Sequence, residues 1–380
     1  MRDAVIVGAV RTPVGRRRGA YRDVHPVDLS AHVLNALLDR AGLEPGVVDD
    51  VIWGVVSQVG EQAWNLGRNA VLAAGWPERI PGPTIDRQCG SSQQAIAFAA
   101  AGVISGQYDM VVAGGAEIMT RVPMASNLAT GLGHPFSPQL RERYGERLAG
   151  QGVAAEMIAD KWGLSRAQLD DFAFGSHQKA AAATDSGAFD AQFVPLPAAG
   201  LTTDEGIRRD TSPAKLAALA PVFLDSGRIT AGNSSQVSDG SAAVLITTSE
   251  RARELGLRPL VRLAGFAVVG DDPVMMLTAP IPATERLLNQ AGLGIEAVGA
   301  FEVNEAFASV VLAWLAATGA DPKCVNPLGG AIAIGHPLGG SGAVLMTRLV
   351  HHMADQGLRY GVQAMCEGGG MANATLLELV

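Results

Sequence analysis

Cysteine is nearly missing from this chain: only Cys89, Cys324 and Cys366 occur among 380 residues. They lie too far apart for a disulfide framework and lack metal-ligand spacing, which excludes a stapled secreted scaffold and a cysteine-bound zinc site. Charge is sparse too, at 17% of residues, and the formal net charge of −8 argues against a general nucleic-acid binder, which needs a basic face. The basic run "GRRRG" at 15–19 reads as a solvated loop. No apolar run approaches the roughly 18 residues needed to span a bilayer. The start, "MRDAVIVGAVRTPVG", is too short and interrupted for a signal peptide and reads as a first β-strand. These absences lead us to expect a soluble, metal-free protein of a reducing, cytoplasmic compartment.

What is present is apolar and periodic. Hydrophobic residues make up 48% of the chain, and its length calls for two or three packed units rather than one core. Short β-rich runs ("AVIVGAV", "DDVIWGVV") alternate with helical ones ("LSAHVLNALLDRAG", stopped by Gly42), which is the pattern of an α/β protein. "QYDMVVAGGAE" reads as a buried strand ending in glycines. The same grammar returns 250 residues later: "LLDRAGLEPGVVDDV" (37–51) lies opposite "LLNQAGLGIEAVGAF" (287–301), and Gly90-Ser91 opposite Gly340-Ser341. This register predicts an internal duplication. Between the halves, roughly 118–238, proline and charge replace the clean alternation, as expected of an inserted ligand-binding excursion.

Four segments carry chemistry. In "DRQCGSSQQAIAFAAAG", Cys89 stands where a helix begins; free N–H groups and the macrodipole would lower its pKa and make a nucleophile. The alternative is an inert buried thiol. In "NPLGGAIAIGHPLGGSGA", proline after His336 keeps that residue out of helical geometry, and the surrounding glycines permit close approach to the imidazole. It is the base a thiol nucleophile needs. "MCEGGG" puts Cys366 on a glycine turn whose N–H groups could bind an oxyanion, or which is simply a tight turn. In "EVNEAFASVVLAWLA", Asn304 sits at a strand end, either capping the next helix or holding a water or carbonyl oxygen.

Together, "CGSS", "NEAFA", "GGAIAIGHPLGGSGA" and "CEGGG" resemble the thiolase family in order and spacing, and "VRTPVG" and "TAGNSSQVSDGSAA" extend the resemblance over essentially the whole chain. The resemblance implies an α/β fold: a thiolase-like five-layer αβαβα sandwich of two duplicated halves with an inserted loop domain. Its divisions would be residues 1–117 plus 239–258, 118–238, and 259–380. It also implies roles. Cys89 would accept the acyl group as a thioester, and His336 would take the Cys89 proton. Cys366 would be the second acid/base. Asn304, through a water, would form one oxyanion hole with His336; the N–H groups of Cys89 and Gly368 would form the other. Coenzyme A would act as co-substrate, with no permanently bound cofactor. Arg208 would lie near its nucleotide end and Phe223, Ala231 and Ser235 along the pantetheine path, with Ala306 and Phe307 at the reactive end. A homodimer or homotetramer is implied as well.

Two departures narrow the expectation. Short-chain members of the family carry His-Met-Gly where this chain has Gly150, Gln151 and Gly152, which favours a longer or bulkier acyl group. Glu367 follows Cys366 where small or apolar residues are usual; its charge could raise the thiol pKa, or it could face outward without effect. The stretch from "GEQAWNLGR" to "DRQCGSSQQA" is similar to thiolases acting on sterol side chains. A ketosynthase of the same superfamily would lack an equivalent of Cys366, and a non-catalytic carrier or scaffold subunit would be expected to lose one of the four residues. The other histidines (His25, His134, His177, His351, His352) and Cys324 read as structural or surface groups.

Overall fold

A computed structural model describes residues 2–129, 131–148 and 150–380, with the side chain of Glu146 outside the description. The first half runs β1 (Val5–Arg11), β2 (Gly15–Arg16), α1 (Pro26–Ala41), β3 (Asp50–Gly54), α2 (Leu66–Ala73), β4 (Thr84–Ile85), α3 (Ser91–Ser105) and β5 (Met110–Ile118). Four helices follow before the next strand: α4 (Pro138–Tyr144), α5 (Gln151–Lys161), α6 (Arg166–Asp185) and α7 (Pro213–Ala217). Then come β6 (Ser238–Thr247), α8 (Ser249–Glu254), β7 (Val261–Gly270), α9 (Pro280–Ala291) and β8 (Ala300–Val303). The chain ends with α10 (Ala308–Thr318), α11 (Ala331–Ile334), α12 (Ser341–Gln356), β9 (Tyr360–Glu367) and β10 (Met371–Leu379).

The strand order is β4-β3-β5-β6-β1-β7-β10-β9-β8, with β2 appended to β6. Its two halves are related by reversal about the β1–β7 junction, which only two residue pairs hold together. The 250-residue register is visible in the elements themselves. β5 begins at Met110 and β9 at Tyr360; α3 begins at Ser91 and α12 at Ser341. Gly42 and Gly292 end α1 and α9 in the same left-handed conformation, φ 65° in both. Side chains with a Cβ are disfavoured there, which explains glycine at both positions.

Helices α3 and α12 lie side by side between the two halves of the sheet, while α1 and α2 cover one outer face and α9 and α10 the other. Most of both helices is buried: α3 is apolar or small apart from Gln93 and Gln94, whereas α12 is apolar toward its start and carries Arg348, His351 and His352 further along. Close approach of the pair depends on Gly342, where a Cβ would lie 2.3 Å from the Gln93 nitrogen. Two buried amide nitrogens in this layer are paired: Gln93 Nε2 donates to Thr375 Oγ1 at 2.9 Å and Gln363 Nε2 to the Gly342 carbonyl at 2.8 Å.

One expectation is corrected. β5 does not end at its glycines but runs through Gly114 and Gly115 to Ile118. A Cβ at Gly115 would stand 2.3 Å from the Gly339 carbonyl, so the glycine makes room for the turn that opens α12 rather than stopping a strand.

Candidate active site

The loops that open α3 and α12, and those that leave β8 and β9, converge in the middle layer. Cys89 stands one residue before Gly90, the N-cap of α3, on a turn held by local bonds. The Asp86 carboxylate accepts from the Gln88 N–H at 2.6 Å, and the Ser91 hydroxyl oxygen accepts from the Arg87 N–H at 2.9 Å. Gln88 itself has φ 50°, a left-handed conformation that costs a non-glycine residue energy and aims the following side chain. Cys89 is buried, and its sulfur touches the apolar group of Val56, Met119, Leu338, Leu345 and Met365.

This overturns the expected low pKa. Burial pushes the Cys89 thiol up to about 12, with Glu367 adding to the rise and a hydrogen bond from Gln151 opposing it. The dipole of a helix whose first residue lies beyond Gly90 does not compensate for lost hydration. Cys89 is therefore a thiol at neutral pH and must surrender its proton as it attacks.

The base for that proton is arranged with a defined tautomer. The Ser341 hydroxyl donates to the Pro337 carbonyl at 2.9 Å, so its oxygen accepts from His336 Nδ1 at 2.6 Å. Assigned from this network, the proton sits on Nδ1 and Nε2 is left as an acceptor. Nε2 faces the Asn304 amide nitrogen at 3.5 Å. Burial lowers the His336 pKa to about 4, so the ring is neutral at pH 7 with the Nε2 lone pair available, though as a weak base. Asn304 follows β8, and its Oδ1 is buried without a partner in the structure; Phe307, not Asn304, is the N-cap of α10. That orphaned oxygen fits a bound water better than a capping role.

Cys366 lies next to the end of β9, fully buried. Burial first, and then the neighbouring Cys89 and Glu367, raise its pKa well above the usual thiol range, while a hydrogen bond with Asn304 opposes them. The two sulfurs, the amide and the imidazole thus form one continuous cluster. Gly368 opens the β9–β10 turn, and a Cβ there would sit 2.9 Å from Gln88 Oε1, which places its main chain against the Cys89 turn. No carbonyl accepts from the Cys89 N–H among the described residues. The arrangement can activate a thiol, hold a second proton and offer N–H donors to a developing oxyanion.

Two buried carboxylates hold the His336 loop at both ends. Glu305 accepts from the Ile332 N–H at 3.1 Å, the Ser176 hydroxyl at 2.7 Å and the Asn326 amide at 3.0 Å. Glu117 accepts from the Gly339 N–H at 2.8 Å and from the N–H groups of Val56 and Ser57, each at 3.0 Å. Between these anchors the Gln236 carbonyl accepts from the His336 N–H at 3.1 Å.

Of the six residues expected along the cofactor path, four contact one another beside this cluster and two line a cavity. Ala306 and Phe307 are buried in the same apolar group as Cys366. The Ser235 N–H donates to the Ala306 carbonyl at 2.9 Å, and the Phe223 ring meets Phe307 edge-to-face at 6.0 Å. Arg208 and Ala231 line a cavity of about 280 Å³ whose wall includes Gln236 and Ile332, and so reaches the His336 loop. His177 is more than a filler here: it lines the cavity, and its Nδ1 accepts from the Arg208 N–H at 3.1 Å.

Several residues of the site escaped sequence reasoning. Ser341 had a signal, five positions after His336 at a helix start. Glu305 stood beside Asn304 in a quoted motif. Glu117 and Gln151 offered less: one ends an apolar strand, and the other appeared only as a departure from a short-chain signature.

Comparison with known proteins agrees over the full length. The thiolase N-terminal domain model matches residues 4–250 and the thiolase C-terminal domain model residues 257–379. The chain is 46% identical to the steroid 3-ketoacyl-CoA thiolase FadA6 of Mycobacterium tuberculosis, over 100% of this chain and 94% of that one. It is 42% identical to the 3-ketoacyl-CoA thiolase of Bacillus subtilis, with both chains fully covered. The crystal structure of the Bacillus anthracis acetyl-CoA acetyltransferase superposes with a TM-score of 0.89 at 35% identity, covering 100% of this chain and 99% of that one. With its duplicated sheet and a site of two thiols, an imidazole and an amide, the chain belongs to the thiolase family of acyltransferases.

Proposed function

We propose that the chain is a degradative 3-ketoacyl-CoA thiolase, cleaving its substrate with CoA through a thioester on Cys89. The observation that carries this reading is the juxtaposition of two buried thiols with a neutral imidazole whose free nitrogen faces Asn304. Cys89 sulfur attacks the C3 carbonyl while its proton passes to His336 Nε2. The C2–C3 bond breaks, and the enolate of acetyl-CoA or propionyl-CoA takes a proton from Cys366 at C2. Incoming CoA then gives its thiol proton to Cys366, and its sulfur attacks the thioester. Acyl-CoA leaves, and His336 returns the proton to Cys89. Asn304 with a water and His336 serve one oxyanion; the Cys89 and Gly368 N–H groups serve the other. Arg208, Phe223, Ala231 and Ser235 hold CoA from a loop domain of residues 118–238, set between the halves 1–117 plus 239–258 and 259–380, and Ala306 and Phe307 hold its reactive end from the second half.

The favoured acyl group is long or bulky. Supporting this, Gly150, Gln151 and Gly152 stand where short-chain members of the family carry His-Met-Gly. The name of the relative at 46% identity, a steroid 3-ketoacyl-CoA thiolase, points the same way. A kcat/KM panel over 3-ketoacyl-CoAs of graded size is expected to rise from acetoacetyl-CoA to long-chain and ring-bearing substrates. A maximum at acetoacetyl-CoA would favour the biosynthetic alternative, and no turnover across the panel would favour a carrier or scaffold role.

The chain also works as a homodimer or homotetramer in this proposal. β4 is the outermost strand of its half of the sheet and pairs only with β3. Beside it, Trp64 is 89% exposed next to Asn65, whose Oδ1 accepts from the Thr84 hydroxyl. An open edge flanked by an exposed indole favours pairing with another copy. Sedimentation is expected to give a multiple of the 39.3 kDa chain mass, and a monomer at micromolar concentration would refute it. No helix among the described residues is long and apolar enough to cross a membrane. A reducing compartment, the cytoplasm, suits a site whose two cysteines must remain thiols.

A further inference from the structure

The 250-residue register pairs Glu117, near the end of β5, with Glu367, at the end of β9. The two carboxylates have opposite surroundings. Glu117 accepts from Val56, Ser57 and Gly339 main-chain N–H groups and from the Gln62 amide. The counterpart of Gly339 in this register is Cys89, so the first half spends on a carboxylate the N–H that the second half leaves for a substrate oxygen. Glu367 is wholly buried, yet neither of its oxygens has a hydrogen-bond partner in the structure. Its side chain lies flat on Gly90, where an added Cβ would fall 1.9 Å from Oε1, so only glycine fits there. The carboxyl group is thus placed against the residue after Cys89 and belongs to the residue after Cys366.

We propose that Glu367 is a positioning residue for the proton inventory of the site: a neutral carboxylic acid in the resting enzyme, whose ionisation holds Cys89 and Cys366 as thiols. The role rests on the thiolase reading given above. An ionised carboxylate without donors is costly in such a place, whereas the neutral acid is tolerated. The charged and titratable groups around it are Arg87, Asp86, Cys89 and Cys366. Arg87 does not bond to it; its guanidinium reaches the Met371 sulfur at 4.0 Å. Burial raises the Glu367 pKa to about 8, against the pull of Arg87 and with the push of Asp86. As pH rises through that value, a negative charge appears near both sulfurs and makes each thiolate harder to form.

The test is the pH profile of Cys89 alkylation by iodoacetamide, followed on the Cys89 peptide by mass spectrometry in wild type and Glu367→Gln. Permanent neutrality should lower the Cys89 pKa, so E367Q is expected to react about five- to tenfold faster at about pH 9, with convergence at acid pH. Glu367→Asp, which keeps an acid, should return the profile toward wild type. Superimposed profiles for wild type and E367Q would overturn the proposal, as would slower alkylation of E367Q. A second readout does not depend on the sulfurs. The wild-type-minus-E367Q infrared difference spectrum at neutral pH should show one protonated-carboxyl carbonyl band, over the background of the other buried carboxyl groups such as Glu302, and no such difference band refutes the neutral acid. Stability gives a third sign. The folded protein keeps a proton that the unfolded chain releases in the ordinary carboxylate range, so the contribution is present at acid pH and lost as pH rises through about 8. Thermal midpoints should therefore shift in favour of E367Q over that window. Wild-type thiolysis is measured separately: its absence alongside shifted profiles would refute the thiolase reading and leave this one standing.

Discussion

The C89S protein is expected to form no acyl-enzyme and to lose on the order of 10⁴-fold or more in kcat for thiolysis. The reason lies in the setting of the sulfur rather than in its sequence neighbours. A serine hydroxyl is a poorer nucleophile and leaving group than a thiol, and the neutral His336 ring, with a pKa near 4, is too weak a base to compensate. The site gives the oxygen no other help, because Cys89 sits among apolar side chains and its own thiol already needs proton transfer during attack. Quenched mixtures with labelled 3-ketoacyl-CoA check this directly. Label retained on C89S would mean that another residue carries the acyl group, and Cys366 would be the first suspect.

The second large effect belongs to Cys366→Ala. Its sulfur is expected to hold a proton through most of the cycle, because burial and the neighbouring Cys89 and Glu367 keep its pKa high. Removing it takes away the donor to the enolate carbon and the acceptor for the CoA thiol proton. A loss in kcat on the order of 10²- to 10⁴-fold is expected, as for other general acid–base residues. Alkylation of Cys89 in the same variant should continue, since the nucleophile and His336 are untouched. That split distinguishes a second proton carrier from a merely structural thiol. Parallel loss of turnover and of Cys89 alkylation would instead mean that the site had collapsed.

Much of the fold and the catalytic cluster can be read from the chain, because both depend on local signals that duplication repeats. Gly42 and Gly292 stop equivalent helices, and Gly90 and Gly340 open the equivalent central pair. Cys89, Asn304 and Cys366 each stand near a strand end or a helix start, and His336 in the glycine-rich loop between α11 and α12, where side chains are free to face a cleft. What the chain hides depends on burial. The Cys89 pKa runs opposite to the helix-start expectation because hydration lost on folding outweighs a dipole one residue away. Glycines in β5 look like a stop signal, but Gly115 makes room for a turn more than 200 residues distant and Gly114 for the neighbouring strand and Trp53. Glu117 and Glu305 gather main-chain donors from loops remote in sequence, a job no local pattern announces. Glu367 was poised between two readings, and only its burial against Gly90 decides that it faces inward.

The whole catalytic cycle depends on which residue carries the acyl group. Intact-protein mass spectrometry after brief mixing with a long-chain 3-ketoacyl-CoA should show one added acyl group, mapped by digestion to the Cys89 peptide. Addition of CoA should then restore the original mass and release a matching amount of acyl-CoA. An acyl group on any other residue, or one on Cys89 that CoA does not remove, would contradict it.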